Sequence, residues 1–186
     1  MIKKNICVYC ASSNSLDAIY YEEARKLGRI MAEQEFGLVY GGGNVGLMGE
    51  IAKSVHQHNG YVYGVIPRSL KNREGIAYEI ADELVITESM SERKTLMFER
   101  SQAFITLAGG IGTLEELMET LTLKQLGYHA YPMVIVNTNG FYNTLFDMLN
   151  HFVEERAVKP SYTSLFKVVE TTEEAISYIA AHKQEG

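Results

Sequence analysis

The sequence contains no apolar run near the roughly 20 residues that a bilayer-spanning helix requires, so no membrane span is expected. It has no excess of positive charge. The formal net charge is −6, which argues against a general binder of nucleic acid or membrane surfaces. Lys3 and Lys4 give way at once to a strand-like run without the apolar core of a signal peptide, and a cytoplasmic location is the default expectation. Cysteine is scarce. Cys7 and Cys10 form a C-x-x-C, but residues 5–10 read as a strand, where positions three apart point to opposite faces. Two packed thiols in a reducing compartment are expected, not a redox or zinc pair. No grouping of His, Cys, Asp and Glu has metal-ligand spacing, and His56 and His58 diverge on their helix, so no metal is expected. There is no Ser-His-Asp arrangement. No Gly-Lys-Ser or Gly-Lys-Thr follows a glycine loop, which excludes the P-loop.

What is present is a regular alternation of strands and helices over 186 residues, a length that suits one domain spanning 1–186. Short apolar runs at 6–10, 38–40, 61–66, 84–86, 104–107, 132–136 and 167–169 read as strands. Helical spacing covers 16–35, the stretch from the first glycine loop to about Asn59, 89–103, the stretch from the second glycine loop to about Leu126, 141–155 and 171–183. Ser89 with Glu92, and Thr171 with Glu174, have capping-box spacing. Residues 68–79 read as a polar loop that borders a site. The pattern predicts an α/β fold: a Rossmann-like, doubly wound parallel sheet with helices on both faces. Ligands in such sheets bind outside the carboxyl ends of the strands.

Two glycine loops lie at that end. The first, Gly41 to Gly49, follows the second strand, and the next strand ends in Pro67-Arg68, not in an acid. It is therefore not the dinucleotide fingerprint. Three consecutive glycines exceed the needs of a turn and point to ligand contact; a tight turn with close helix–strand packing is the alternative. The second loop, Ala108 to Glu119, reads AGGIGTLEELME. Gly109, Gly110 and Gly112 can take positive φ and leave no Cβ in a ligand's way. The unpartnered N–H groups of the following helix then favour an anion. Thr113 and Glu116 have capping-box spacing, so Glu116 could simply cap this helix. A carboxylate beside a phosphate repels it, however, unless it serves another part of the same ligand. Arg93 and Lys94 sit at a helix N-terminus, where positive charge is disfavoured, and so answer to an anion or carboxylate elsewhere.

Three features carry a resemblance: Tyr40-Gly-Gly-Gly with Gly46-Leu-Met-Gly49, the Arg93-Lys94 pair, and Gly109-Gly-Ile-Gly-Thr-Leu-Glu-Glu116. Together they resemble the LOG family, cytokinin riboside 5′-monophosphate phosphoribohydrolases once labelled possible lysine decarboxylases. The likeness runs from Val8 to at least Tyr142. It implies hydrolysis of the N-glycosidic bond of a nucleoside 5′-monophosphate such as AMP, giving free base and ribose 5-phosphate. It places catalysis on Arg93 and Glu116. It implies substrate contacts from Lys94, Gly109, Gly110, Ile111, Gly112, Thr113, Leu114, Glu115 and Thr122, together with Gly42, Gly43, Ser12 and Ser13. It implies no cofactor, a small nucleotide as partner and a homodimer. A nucleotide-binding or carrier protein of the same fold, without hydrolysis, is the alternative. Ala108 stands where the family signature has proline, which predicts a somewhat freer turn. Arg68-Ser69-Leu70 lacks the Pro-Arg-Glu of plant members. A decarboxylase would need a Schiff-base lysine for pyridoxal phosphate, and Lys94, the motif lysine, has no evident partner for the ring nitrogen.

Overall fold

Seven strands pair side by side, all in parallel, in the computed structural model, which describes residues 2–73 and 75–182. They are β1 (Lys4–Tyr9), β2 (Phe36–Tyr40), β3 (Val62–Pro67), β4 (Glu83–Thr87), β5 (Ala103–Thr106), β6 (Met133–Val136) and β7 (Lys167–Val169). Helices α1 (Ala18–Glu33), α2 (Gly46–Gln57), α3 (Arg68–Lys71), α4 (Met90–Glu99), α5 (Ile111–Gln125), α6 (Asn143–Glu154) and α7 (Thr172–Ala181) connect or close them. The strand order is β4-β3-β2-β1-β5-β6-β7. The chain thus winds outward from β1 to one edge, then returns to the other side of β1. That reversal, between β1 and β5, is where a doubly wound sheet opens a crevice.

Side chains along β1 alternate between two cores. Ile6 and Val8 face α1, α2 and α7 through Leu27, Met31, Ile51, Val55 and Ile176. Cys7 and Tyr9 face α4, α5 and α6 through Met97, Leu117, Leu121, Leu145 and Leu149. The two thiols fall in opposite cores, both free and buried, as the strand period requires.

Several boundaries differ from the expected ones. The helix expected over 89–103 stops at Glu99, because Ala103 is needed opposite Ile6 in the β1–β5 ladder. Ser89 caps α4 through the Glu92 amide, but the Glu92 carboxylate accepts from the amide of Glu88, one residue outside the expected box. The capping box of Thr171 and Glu174 closes as expected, while Lys183 lies outside the described residues. The segment expected as a polar loop opens with the single turn α3 and then pairs with the first glycine loop. Asn44 N–H donates to Ile76 O, Tyr78 N–H donates to Gly42 O, and Gly43 bridges Ala77.

One buried acid ties the first helix to the last. Glu23 accepts hydrogen bonds from the amide and hydroxyl of Thr172, each at 3.0 Å, and from Lys26 at 2.9 Å. Burial alone would raise its carboxyl pKa, but these bonds prevail and hold it below the usual carboxylate value. Glu23→Ala is expected to cost about 2 kcal/mol, by loss of the bonds to the α7 N-terminus. A depressed folded-state pKa gives stability that is present at neutral pH and lost as pH falls through it. Urea midpoints of the two proteins should therefore converge in acid.

Candidate active site

The two glycine loops do different things. At the first, the N-terminal amides of α2 are already taken. Leu47 and Met48 donate to Ala11 O at 2.9 and 3.4 Å, and Gly46 donates to Asn14 Oδ1 at 2.8 Å. Gly46 has φ +59°, and a Cβ there would lie 2.5 Å from the Ser12 carbonyl carbon. Only glycine permits that turn against the β1 loop. Gly42 and Gly43, expected to contact substrate, are instead buried beside the segment around residues 76–78 and do not line the crevice. The alternative of a tight turn with close packing holds for this loop.

Its leading residue has another use. Arg93, on α4, is 7% exposed and reaches across the sheet end, donating from Nε to Val65 O at 3.1 Å and from Nη2 to Gly41 O at 3.0 Å. A Cβ on Gly41 would stand 1.8 Å from that Nη2. Gly41 is a seat for the guanidinium. Arg93 has no carboxylate within ion-pair distance among the described residues. Its charge is therefore fixed by backbone dipoles and left uncompensated beside the crevice.

The second loop is open. α5 begins at Ile111 with Gly110 as its N-cap, so Thr113 and Glu116 lie inside the helix and the expected capping box does not form. The amides of Ile111, Gly112 and Thr113 have no partner among the described residues. None of Gly109, Gly110 and Gly112 has positive φ, contrary to expectation. Their role is spatial. A Cβ on Gly109 would lie 2.1 Å from Thr113 Oγ1, while one on Gly110 or Gly112 would meet nothing within 4 Å and would project into the open cradle. The turn before them is pinned: Ala11 N–H donates to Ala108 O at 3.0 Å, and the buried Tyr142 hydroxyl donates to Leu107 O at 2.7 Å. Two hydrogen bonds thus restrain the turn in which Ala108 stands.

A cavity of about 300 Å³ opens here, bounded by Ser12, Ser13, Arg93, Gly110, Ile111, Gly112, Thr113, Glu115 and Glu116, with Cys10, Ala11, Met48 and Met90. Most of the expected site residues converge on it. Met90 was missed, although it lies one helical turn before Arg93 and so on the same face. Gly109 and Leu114 do not line it: Gly109 sits under Thr113, and Leu114 packs into the core beneath α5. Thr122 is exposed, donates to Met118 O at 2.7 Å and lies outside the crevice of this chain.

Glu116 is half-buried, and among the described residues its carboxylate has no hydrogen-bond or ion-pair partner. Burial pushes its carboxyl up to about 7, with Glu115 and Glu119 adding to the rise and Arg93 and Lys94 opposing it. A carboxylate poised near neutrality in a cleft is suited to moving a proton. Glu116 also borders a second cavity of about 350 Å³ between α4 and α5, walled by Tyr9, Met97, Phe98, Thr120 and Leu123 and rimmed by Lys94 and Glu119. Lys94 bonds Glu115 and lies 2.8 Å from Glu119. The site therefore combines free amides for an anion, a fixed uncompensated cation and one titratable acid, with an apolar pocket alongside.

Comparisons with known proteins show what the whole chain is similar to. A family profile described as "Possible lysine decarboxylase" covers residues 48–179. The chain is 38% identical over 180 residues to cytokinin riboside 5′-monophosphate phosphoribohydrolase LOG5 of Arabidopsis thaliana, over 97% of this chain and 78% of that one. It is 40% identical over 173 residues to the probable phosphoribohydrolase LOGL2 of Oryza sativa subsp. japonica, over 93% and 70%. Among solved structures, the molybdenum cofactor binding protein of Rippkaea orientalis superposes with TM-score 0.74 at 21% identity, over 97% and 98% of the two chains. A molybdenum cofactor carrier protein of Chlamydomonas reinhardtii gives 0.72 at 22%, over 96% of each. At that identity the two structures show a shared fold alone.

Proposed function

This chain belongs to the LOG family of cytokinin riboside 5′-monophosphate phosphoribohydrolases, and from that premise we propose that it hydrolyses the N-glycosidic bond of a nucleoside 5′-monophosphate. The observation that carries the reading is the unpartnered Glu116 carboxylate, held in one crevice with the free α5 amides and the seated Arg93. The 5′-phosphate lies on the amides of Ile111, Gly112 and Thr113, where the helix dipole favours its charge. The ribose then passes between Arg93 and Glu116, and the base enters the apolar pocket between α4 and α5. Breaking the bond leaves positive charge on the ribose ring, which the Glu116 carboxylate stabilises from the crevice wall. Glu116 takes a proton from water, the water oxygen bonds C1′, and the departing base nitrogen receives a proton from solvent. Arg93 orients the phosphate or ribose as a fixed charge. A homodimer and a cytoplasmic location belong to the same proposal.

The decarboxylase reading does not fit these residues. Lys94 is held charged between two carboxylates, which raise its pKa, and an ammonium held so is a poor Schiff-base nucleophile.

Incubating the purified protein with a panel of nucleoside monophosphates and measuring free base by chromatography tests the proposal. Release of base with stoichiometric ribose 5-phosphate is expected; nucleotide binding with no release would support a carrier instead. If the ionised Glu116 is the working form, kcat/KM should fall as pH drops through about 7, because that parameter reports the free enzyme. An acid limb no higher than the substrate phosphate's own ionisation, near 6, would remove Glu116 from that role.

A further inference from the structure

We infer that Lys94 serves the reaction through Glu115 and Glu119, neutralising the two carboxylates that flank Glu116, and does not hold the substrate phosphate. The inference rests on the reading of Glu116 as the group that must ionise. Lys94 lies beside that residue on the neighbouring helix, and its ammonium is drawn in beneath two surface acids. Its side chain is 18% exposed, against 52% for Glu115 and 47% for Glu119. An ammonium has three protons to donate; here one goes to Glu115 Oε1 and one to Glu119 Oε2. Lys94 borders the pocket between α4 and α5 but not the crevice that presents the free α5 amides. A phosphate on those amides is therefore met by Arg93, not by Lys94.

The acids explain the need. Glu115, Glu116 and Glu119 fall within little more than one turn of α5, and like charges at that spacing oppose one another. Glu116 already resists ionisation because it is buried. Two further uncompensated charges would push it higher still. The groups facing Glu116 are Arg93 and Lys94 from α4, Glu115 and Glu119 from α5, Cys7 and Tyr9 from β1, and Cys10 just beyond it. Burial raises Cys7, Tyr9 and Cys10, which stay protonated over the working range. The Arg93 guanidinium is engaged by the carbonyls of Val65 and Gly41, so Lys94, paired with Glu115 and Glu119, is the cation that balances the flanking acids.

The test is a ¹³C-carboxyl NMR titration of Glu116 in the full chain, its resonance identified by its loss in Glu116→Gln, beside the pH dependence of kcat/KM. Lys94→Met is expected to raise the Glu116 midpoint by about one pH unit and to carry the acid limb with it. KM measured well above the midpoint should change far less than the roughly tenfold expected for loss of a phosphate ligand. Lys94→Arg should restore the midpoint, and so should adding Glu115→Gln and Glu119→Gln to Lys94→Met. A midpoint that does not move, joined to a KM raised about tenfold at every pH, would overturn the inference and make Lys94 a phosphate ligand. A raised midpoint that the two glutamines fail to lower would overturn it as well. Because the titration needs no turnover, it separates this inference from the proposed activity: absence of base release leaves the midpoints readable.

Discussion

Glu116→Gln is expected to abolish base release, lowering kcat by about a thousandfold or more, while nucleotide affinity stays within roughly tenfold. The same substitution should make the protein more stable. The folded carboxyl titrates near 7 against an ordinary 4.5, so between those values the native state keeps a proton that the unfolded chain has released. Stability then falls as pH rises through that window. Above it, the fold carries the full strain of an ionised carboxylate without a partner. Glutamine removes the charge at nearly constant volume. At pH 8 the variant should gain roughly 2–3 kcal/mol, because each pH unit separating the folded and unfolded midpoints is worth about 1.4 kcal/mol. Near pH 4 the gain should vanish. Urea unfolding at the two pH values reads the difference, and chromatography of free base reads the loss of turnover. An unchanged rate would refute the catalytic role. A variant that is inactive yet no more stable at pH 8 would mean that the carboxyl is not held near 7.

The second large effect concerns Arg93. Arg93→Ala is expected to reduce kcat/KM by about a hundredfold or more and to destabilise the fold by roughly 3 kcal/mol. The side chain is buried, and its loss leaves the carbonyls of Gly41 and Val65 without their donors. Gly41→Ala tests the seat with the arginine still in the chain. The added Cβ would fall 1.8 Å from Nη2, and the end of a long side chain yields more easily than backbone. The guanidinium should leave its seat, with a kinetic loss close to that of Arg93→Ala and, because the same two carbonyls lose their donors, a similar stability loss of roughly 3 kcal/mol. Arg93→Lys should not rescue activity, since one ammonium lacks the planar fork that spans both carbonyls. Full activity in Gly41→Ala would show that the seat is dispensable.

The sheet was legible because its strands announce themselves as short apolar runs separated by helical spacing. Ile6 to Tyr9, buried on both faces, and Met133–Val136 are such runs. That a ligand would bind outside the carboxyl ends of the strands followed from this pattern, whereas the reversal between β1 and β5 depends on the strand order of the folded sheet. Less legible was the division of labour between the glycine loops. Both place glycines between a strand and a helix, and local pattern does not reveal whether the helix amides are occupied. The partner that occupies those of α2 is Ala11 O, some 35 positions away in sequence. Glu116 had capping-box spacing from Thr113, but the helix begins two residues before Thr113, and helix starts are the least certain part of any pattern. The seat at Gly41 was also out of reach, because it depends on an arginine 52 positions later. Thr122 was placed at the site by resemblance, and its position on the outer side of α5 is a matter of helical phase.

The pinned turn before the cradle has a consequence for how this chain can change. Two carbonyls in succession are tethered there, one by the neighbouring strand's exit loop and one by a tyrosine from beyond β6. Two independent restraints on the same few torsions make either one individually negotiable. The redundancy has a corollary: a change at Tyr142, remote in sequence and contributing no atom to the crevice, would leave the Ala11 amide to hold the turn.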